Sequence, residues 1–136
     1  MSEQSSGPHA SVRVTWRGDR RYEVNRPGAS PATIDAEHVA GPGPVEMLLG
    51  ALAACASVDV VDYLAKRRTP IARLAVAVDA VRNATAPRRV LSARLVFEVD
   101  GETIDVEHAE RGLALAVGKY WSVASSLAPD VDIVTR

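Results

Sequence analysis

The chain has 136 residues, 47% of them hydrophobic and 4% aromatic, and its 16 basic and 17 acidic residues leave a net charge of −1. That length fits a single domain over residues 1–136, with a core built from Ala, Val and Leu, and leaves little room for two independent ones. A near-neutral chain without a basic stripe lacks what phosphate-backbone binding needs, so nucleic acid is not an expected partner.

The opening "MSEQSSGPHA" is polar and has no basic-then-apolar run, so residues 1–10 read as a disordered terminus and not as an export signal. Val12, Val14 and Trp16 alternate with Arg13, Thr15 and Arg17, the period-two pattern of a strand with one face in the core. "RGDRR" turns the chain, Tyr22 and Val24 continue the alternation, and the "RPGASPA" loop leads to a short run around Thr33 and Ile34. A small β-meander is expected there.

"GPGP" cannot continue a strand, and Pro44 suits a first helical turn, with Glu46 near the positive end of the helix dipole. A helix is expected from Val45 to about Lys66. Met47, Leu48, Ala51, Leu52, Cys55, Val58 and Leu64 recur at helical spacing, while the opposite face carries Gly50, Ala53, Ala54 and Ser57 in place of charge. Such a helix should be buried nearly all round. Its charge-free stretch, Met47 to Val58, falls short of the roughly 20 apolar residues of a bilayer span, so no membrane is expected.

"RLAVAVDAV" and "VLSARLVFEV" read as two long strands, the second with Leu91, Ala93, Leu95, Phe97 and Val99 on one face. Val106, Ala109, Leu113, Val117 and Tyr120 then step by three and four, which predicts a second amphipathic helix from Val106 to Tyr120. "SSLAPDVDIVTR" closes with a turn and a last strand. The order β, β, β, α, β, β, α, β defines an α+β fold without repeats.

Cys55 is the only cysteine, so no internal disulfide forms, which agrees with a reducing, cytoplasmic setting. The thiol has two readings: a small hydrophobe packed in a core, or a nucleophile whose thiolate is stabilised by a group brought in by folding. It lies nine residues past Glu46, roughly 13 Å along one helix, so the two side chains of one helix do not touch. Glu46 also has a plain role as an N-terminal helix acid. Arg17, Arg20 and Arg21 at the first hairpin could reach a thiolate or simply be solvated. His9, His38 and His108 have no partner at a metal-ligand step, and no Gly-rich phosphate cradle appears, so no metal and no cofactor are expected.

The segment "GPGPVEMLLGALAACASVDVVDYLAKRR" resembles the central helix of the OsmC/Ohr family, the osmotically inducible and organic hydroperoxide resistance proteins. The resemblance extends through "VRVTWRGDRRYEV" and "GLALAVGKYWSVASSLAPDVDIV". It implies an OsmC-like fold and an intertwined homodimer with two active sites at the subunit interface. It also implies that Cys55 attacks an organic hydroperoxide, with Arg20 and Glu46 holding the thiolate and orienting the substrate. Where the family carries its resolving cysteine in a "KYCSV"-like segment, this chain reads "KYWSV", with Trp121 at that position. A sulfenic acid at Cys55 would then need an external thiol reductant. Trp121, with Tyr120 and Leu52, is expected either to line the pocket for a small apolar hydroperoxide or another small molecule, or to fill core space. The two functions these residues leave open are a one-cysteine peroxidase and a non-catalytic binding or stress protein on the same scaffold.

Overall fold

The computed structural model describes residues 7–136, with the backbone alone for Lys119 and Tyr120. Of the N-terminal stretch expected to be disordered, the first six residues lie outside the described ones. The chain divides into two compact units, Met1–Met47 and Leu48–Arg136, and the boundary falls within the first helix.

The first unit is an antiparallel meander of β1 (Arg13–Trp16), β2 (Arg21–Asn25) and β3 (Ala32–Asp35), with Val14 opposite Val24 and Tyr22 opposite Ile34. The turn between β1 and β2 places Gly18 and Asp19 at positive φ, 101° and 48°, and Trp16 Nε1 donates to the Asp19 carbonyl at 2.9 Å. The alternation expected of β1 is present, but its apolar face is not in a core. Val12, Val14 and Trp16 are exposed, Trp16 at 62%.

The helix α1 (Pro44–Lys66) begins as the sequence predicts. Pro44 occupies the first helical position, and Glu46, at the third, turns its carboxylate back to accept from the Gly43 N–H at 2.8 Å, the acidic half of a capping box. The other end closes at Lys66, near where the sequence predicts, on a left-handed residue. Arg68 takes a left-handed conformation, φ 56°, its N–H donates to the Ala65 carbonyl at 3.0 Å, and the Thr69 N–H donates to that of Leu64 at 3.0 Å. This is a Schellman motif with arginine where glycine is usual.

Burial nearly all round was expected of α1, and within the single chain it is one-sided. Leu52, Ala53, Ala56, Val60 and Leu64 are buried, while Leu48, Val58 and Val61 are exposed, Val58 at 59%. The helix is long and apolar enough, by length and composition, to cross a membrane. Asp59 and Asp62 nevertheless interrupt its second half, and its buried side packs on protein.

In the second unit β4 (Arg73–Arg82) pairs antiparallel with β5 (Val90–Asp100), and β6 (Asp132–Thr135) runs parallel to β5 from Ser92–Asp132 to Leu95–Thr135. A parallel neighbour needs a crossover, and residues 101–131 supply it. They hold α2 (Val106–Leu115), a π-helical turn (Ala116–Tyr120) and α3 (Ser122–Ser125). Asp105 caps α2, its carboxylate accepting from the His108 N–H at 2.8 Å. The continuous helix expected to Tyr120 therefore loosens after Leu115. The wider turn brings Ala116, not Val117, into the core, and Val106 stays exposed on the first turn. Leu52, Ala53, Ala56, Ala93, Leu95 and Trp121 form the main core cluster, with Phe97 and Ile133 partly buried against it.

Candidate functional site

Cys55 sits mid-helix on α1, a free thiol of intermediate exposure at the margin of the core cluster that holds Leu52, Ala53, Ala56 and Trp121. It is neither sealed among aliphatic side chains nor fully open, so both readings of the thiol remain compatible with its position in one chain. Helix geometry keeps Glu46 of the same chain roughly 13 Å away along the axis.

Trp121, which stands where the family resemblance places a second cysteine, is 4% exposed and Leu52 is 1% exposed. The indole is anchored as well as packed: its Nε1–H donates to the Leu52 carbonyl at 2.9 Å. That carbonyl has a second lone pair for the helix, so the buried N–H is satisfied without breaking α1. Within one chain Leu52 and Trp121 are thus core residues. The side chain of Tyr120, the third expected pocket residue, lies outside the described ones.

In the first unit the three hairpin arginines separate by partner. Arg17 Nε lies 3.0 Å from Glu23 Oε2, and Arg21 Nε lies 3.8 Å from Asp35 Oδ2. Arg20 has no carboxylate within 4.0 Å among the described residues; its backbone carbonyl accepts from the Ala36 N–H at 3.0 Å. It is the guanidinium of the three left available to an outside group.

A feature absent from the sequence reading organises the approach to α1. Asp35, at the end of β3 and 1% exposed, accepts from the backbone N–H groups of Glu37 (2.9 Å), Val39 (3.3 Å) and Ala40 (2.9 Å). The Ala40 and Glu37 donors, then that of Val39 and the Arg21 guanidinium, hold its carboxyl below the usual carboxylate range against the opposing effect of burial. The loop so gathered brings His38 to Glu46, with Nδ1 3.1 Å from Oε1. An Asp at a strand end before a Gly/Pro-rich loop is the one sequence signal that could have found this.

Among the described residues the second unit carries clefts on several of its faces. One of about 290 Å³ is bounded by Val60, Phe97, Val99, Ile104 and Leu113; one of about 400 Å³ lies over Ser92, Arg94 and Asp132; one of about 390 Å³ lies beside Asp59, Asp62 and Tyr63. Cys55 does not line these clefts among the described residues. Among the described residues no group of three His, Cys, Asp or Glu side chains is arranged to hold a metal ion.

Comparison with known proteins gives a consistent result. The family model described as "OsmC-like protein" matches residues 35–136. The protein YhfA of Escherichia coli K12 is 35% identical over 92 residues, which cover 68% of this chain and 69% of YhfA. The OsmC-like protein of Mycoplasma pneumoniae superposes with a TM-score of 0.78 at 15% identity, over 95% of each chain. A protein of Psychrobacter arcticus described as a putative osmotic stress induced and detoxification response protein superposes with a TM-score of 0.77 at 19% identity, over 96% of this chain and 98% of that one. At such identities the structures speak to the fold.

Proposed function

The chain belongs to the OsmC-like family, and on that premise we propose that it reduces organic hydroperoxides at Cys55 in a one-cysteine cycle completed by an external thiol. The observation that carries this reading is the position of Cys55. The only sulfur nucleophile of the chain lies within the family-matched segment, on the helix whose first turn carries Glu46, and is incompletely buried.

The reaction follows from the chemistry of a thiolate. The Cys55 sulfur attacks the terminal oxygen of the hydroperoxide, an S–O bond forms, and the O–O bond breaks. The alkoxide leaves and takes a proton to become the alcohol. Sulfur is oxidised by two electrons to sulfenic acid. With no second cysteine in the chain, an external thiol condenses with it, releasing water and forming a mixed disulfide. A second thiol molecule then frees Cys55 and carries away the disulfide.

The same reading gives the chain a second copy. Since helix geometry forbids contact between Glu46 and Cys55 of one α1, a Glu46 carboxylate acting on the thiol comes from another protomer. The exposed apolar residues of α1 (Leu48, Val58 and Val61) and of β1 (Val12, Val14 and Trp16) are the surface a homodimer would bury. Arg20 is the cation assigned to the thiolate, being free of intrachain carboxylates among the described residues.

Purified protein with cumene hydroperoxide and excess dithiothreitol tests the proposal. Peroxide should be consumed catalytically by the wild type and at the uncatalysed rate by Cys55→Ser. Equal rates for the two proteins would refute it.

A further inference from the structure

We propose that His38 is a positioning residue for Glu46, fixing the carboxylate that acts in the thiol chemistry; the inference rests on the function proposed above. Glu46 is 57% exposed at its side chain, and a surface glutamate ordinarily samples many rotamers. Here one oxygen, Oε1, is held from two directions, by the Gly43 N–H at 2.8 Å and by His38 Nδ1 at 3.1 Å. Because a carboxylate only accepts, the imidazole donates from Nδ1, which leaves Oε2 as the oxygen without either of these contacts.

The placement of His38 is built at some cost. Its φ is 60°, in the left-handed region where a side chain other than glycine is disfavoured, and its N–H donates to the Asp35 carbonyl at 3.0 Å. The ring lies so close over Gly43 that a Cβ at that position would meet His38 Cε1 at 2.7 Å. Glycine at 43 therefore opens the space for the imidazole as well as supplying the N–H to Glu46. The strained loop, the missing Cβ and the two donors converge on one oxygen atom. A helix cap alone needs only the Gly43 contact; the imidazole adds a second donor that fixes the direction of the carboxylate.

The test is the second-order rate at which cumene hydroperoxide oxidises Cys55 to a dimedone-trappable sulfenic acid. It compares wild type, His38→Ala, His38→Gln, Glu46→Gln and the double variant His38→Ala/Glu46→Gln, with melting temperatures as the control for folding. His38→Ala should slow oxidation roughly tenfold or more, as misplacement of an orienting group does. His38→Gln, whose amide can donate to Oε1, should recover most of the rate. The double variant should be no slower than Glu46→Gln, because both changes remove one function. Gly43→Ala, which displaces the ring but leaves every functional group present, should slow the reaction as His38→Ala does, and it serves should His38→Ala fail to fold. Wild-type speed in His38→Ala beside a slow Glu46→Gln overturns the inference and leaves the proposed function standing. Additive losses, or no recovery with glutamine, also overturn it. Wild-type speed in Glu46→Gln removes the role of Glu46 and His38 together, and a wild-type protein that never reacts takes the proposed function down with them.

Discussion

Replacing Trp121 by phenylalanine isolates what the indole contributes. The ring is 4% exposed in the main core cluster, and its Nε1–H donates to the Leu52 carbonyl at 2.9 Å. Phenylalanine keeps an aromatic body and loses two things. The hydrogen bond contributes about 1 kcal/mol net. The missing part of the bicycle removes apolar contact and leaves a small void, for about 1–2 kcal/mol more. The total is about 2–3 kcal/mol. At about 2.1 cal/mol/K of unfolding entropy per residue, a chain of 136 residues loses about 3.5 °C of Tm for each kcal/mol, so Trp121→Phe should melt about 7–10 °C lower. The assay is thermal unfolding followed by near-UV circular dichroism at matched protein concentration, since association would otherwise shift the midpoint. Trp121→Ala should cost more, as large aromatic-to-alanine changes in cores do. A Trp121→Phe protein melting within about 2 °C of wild type would refute the assignment of Trp121 as an anchored core residue, since neither loss could then be real.

Three further outcomes follow from particular side chains. Arg68→Gly relieves a left-handed arginine at the end of α1 and should raise Tm by about 3 °C, read by the same melts, provided the gain is near 1 kcal/mol. The Asp35 carboxyl is held below its ordinary value, so its stabilising contribution is full above about pH 4 and is lost as pH falls through the depressed folded value. The gap in Tm between wild type and Asp35→Asn should therefore close on acidification, and parallel curves down to about pH 2 would contradict this. Val58→Asp places a charge on the exposed apolar face of α1 and should shift a dimeric wild type to monomer in sedimentation velocity; an unchanged sedimentation coefficient argues against that face as the subunit contact.

What the sequence made legible was local. "GPGP" followed by Glu46 announced the start of α1 because proline, glycine and an acid each have a fixed place at a helix N-terminus, and the structure begins the helix at Pro44. The alternation of β5 was visible for the same reason: a pleated strand with one wet face must alternate, and Ala93 and Leu95 are indeed buried. Long-range features were hidden. Nothing in "VDIVT" states that β6 pairs parallel to β5, since register depends on the partner. The π-helical turn after Leu115 escaped because the steps Leu113, Val117, Tyr120 suit an uninterrupted helix, and only packing brings Ala116 inward instead. The exposed apolar residues of α1 and β1 read in the sequence as core because periodicity reports which side chains are apolar, not whether the fold buries them.

At the candidate site the sequence supplied the residues but not their company. Cys55, Glu46 and Arg20 were picked out as types at positions. The structure adds that Arg17 and Arg21 are paired with Glu23 and Asp35, while Arg20 has no such carboxylate among the described residues. It also shows Glu46 held by Gly43 and His38, a contact between residues eight apart with no regular spacing to reveal it.

The most direct measurement is the mass of the intact protein after one equivalent of cumene hydroperoxide in the presence of dimedone. One dimedone adduct per chain, mapping to Cys55 and absent from Cys55→Ser, is the predicted result. An unmodified chain, with the hydroperoxide recovered intact, would contradict the claim that this thiol is a nucleophile toward peroxide.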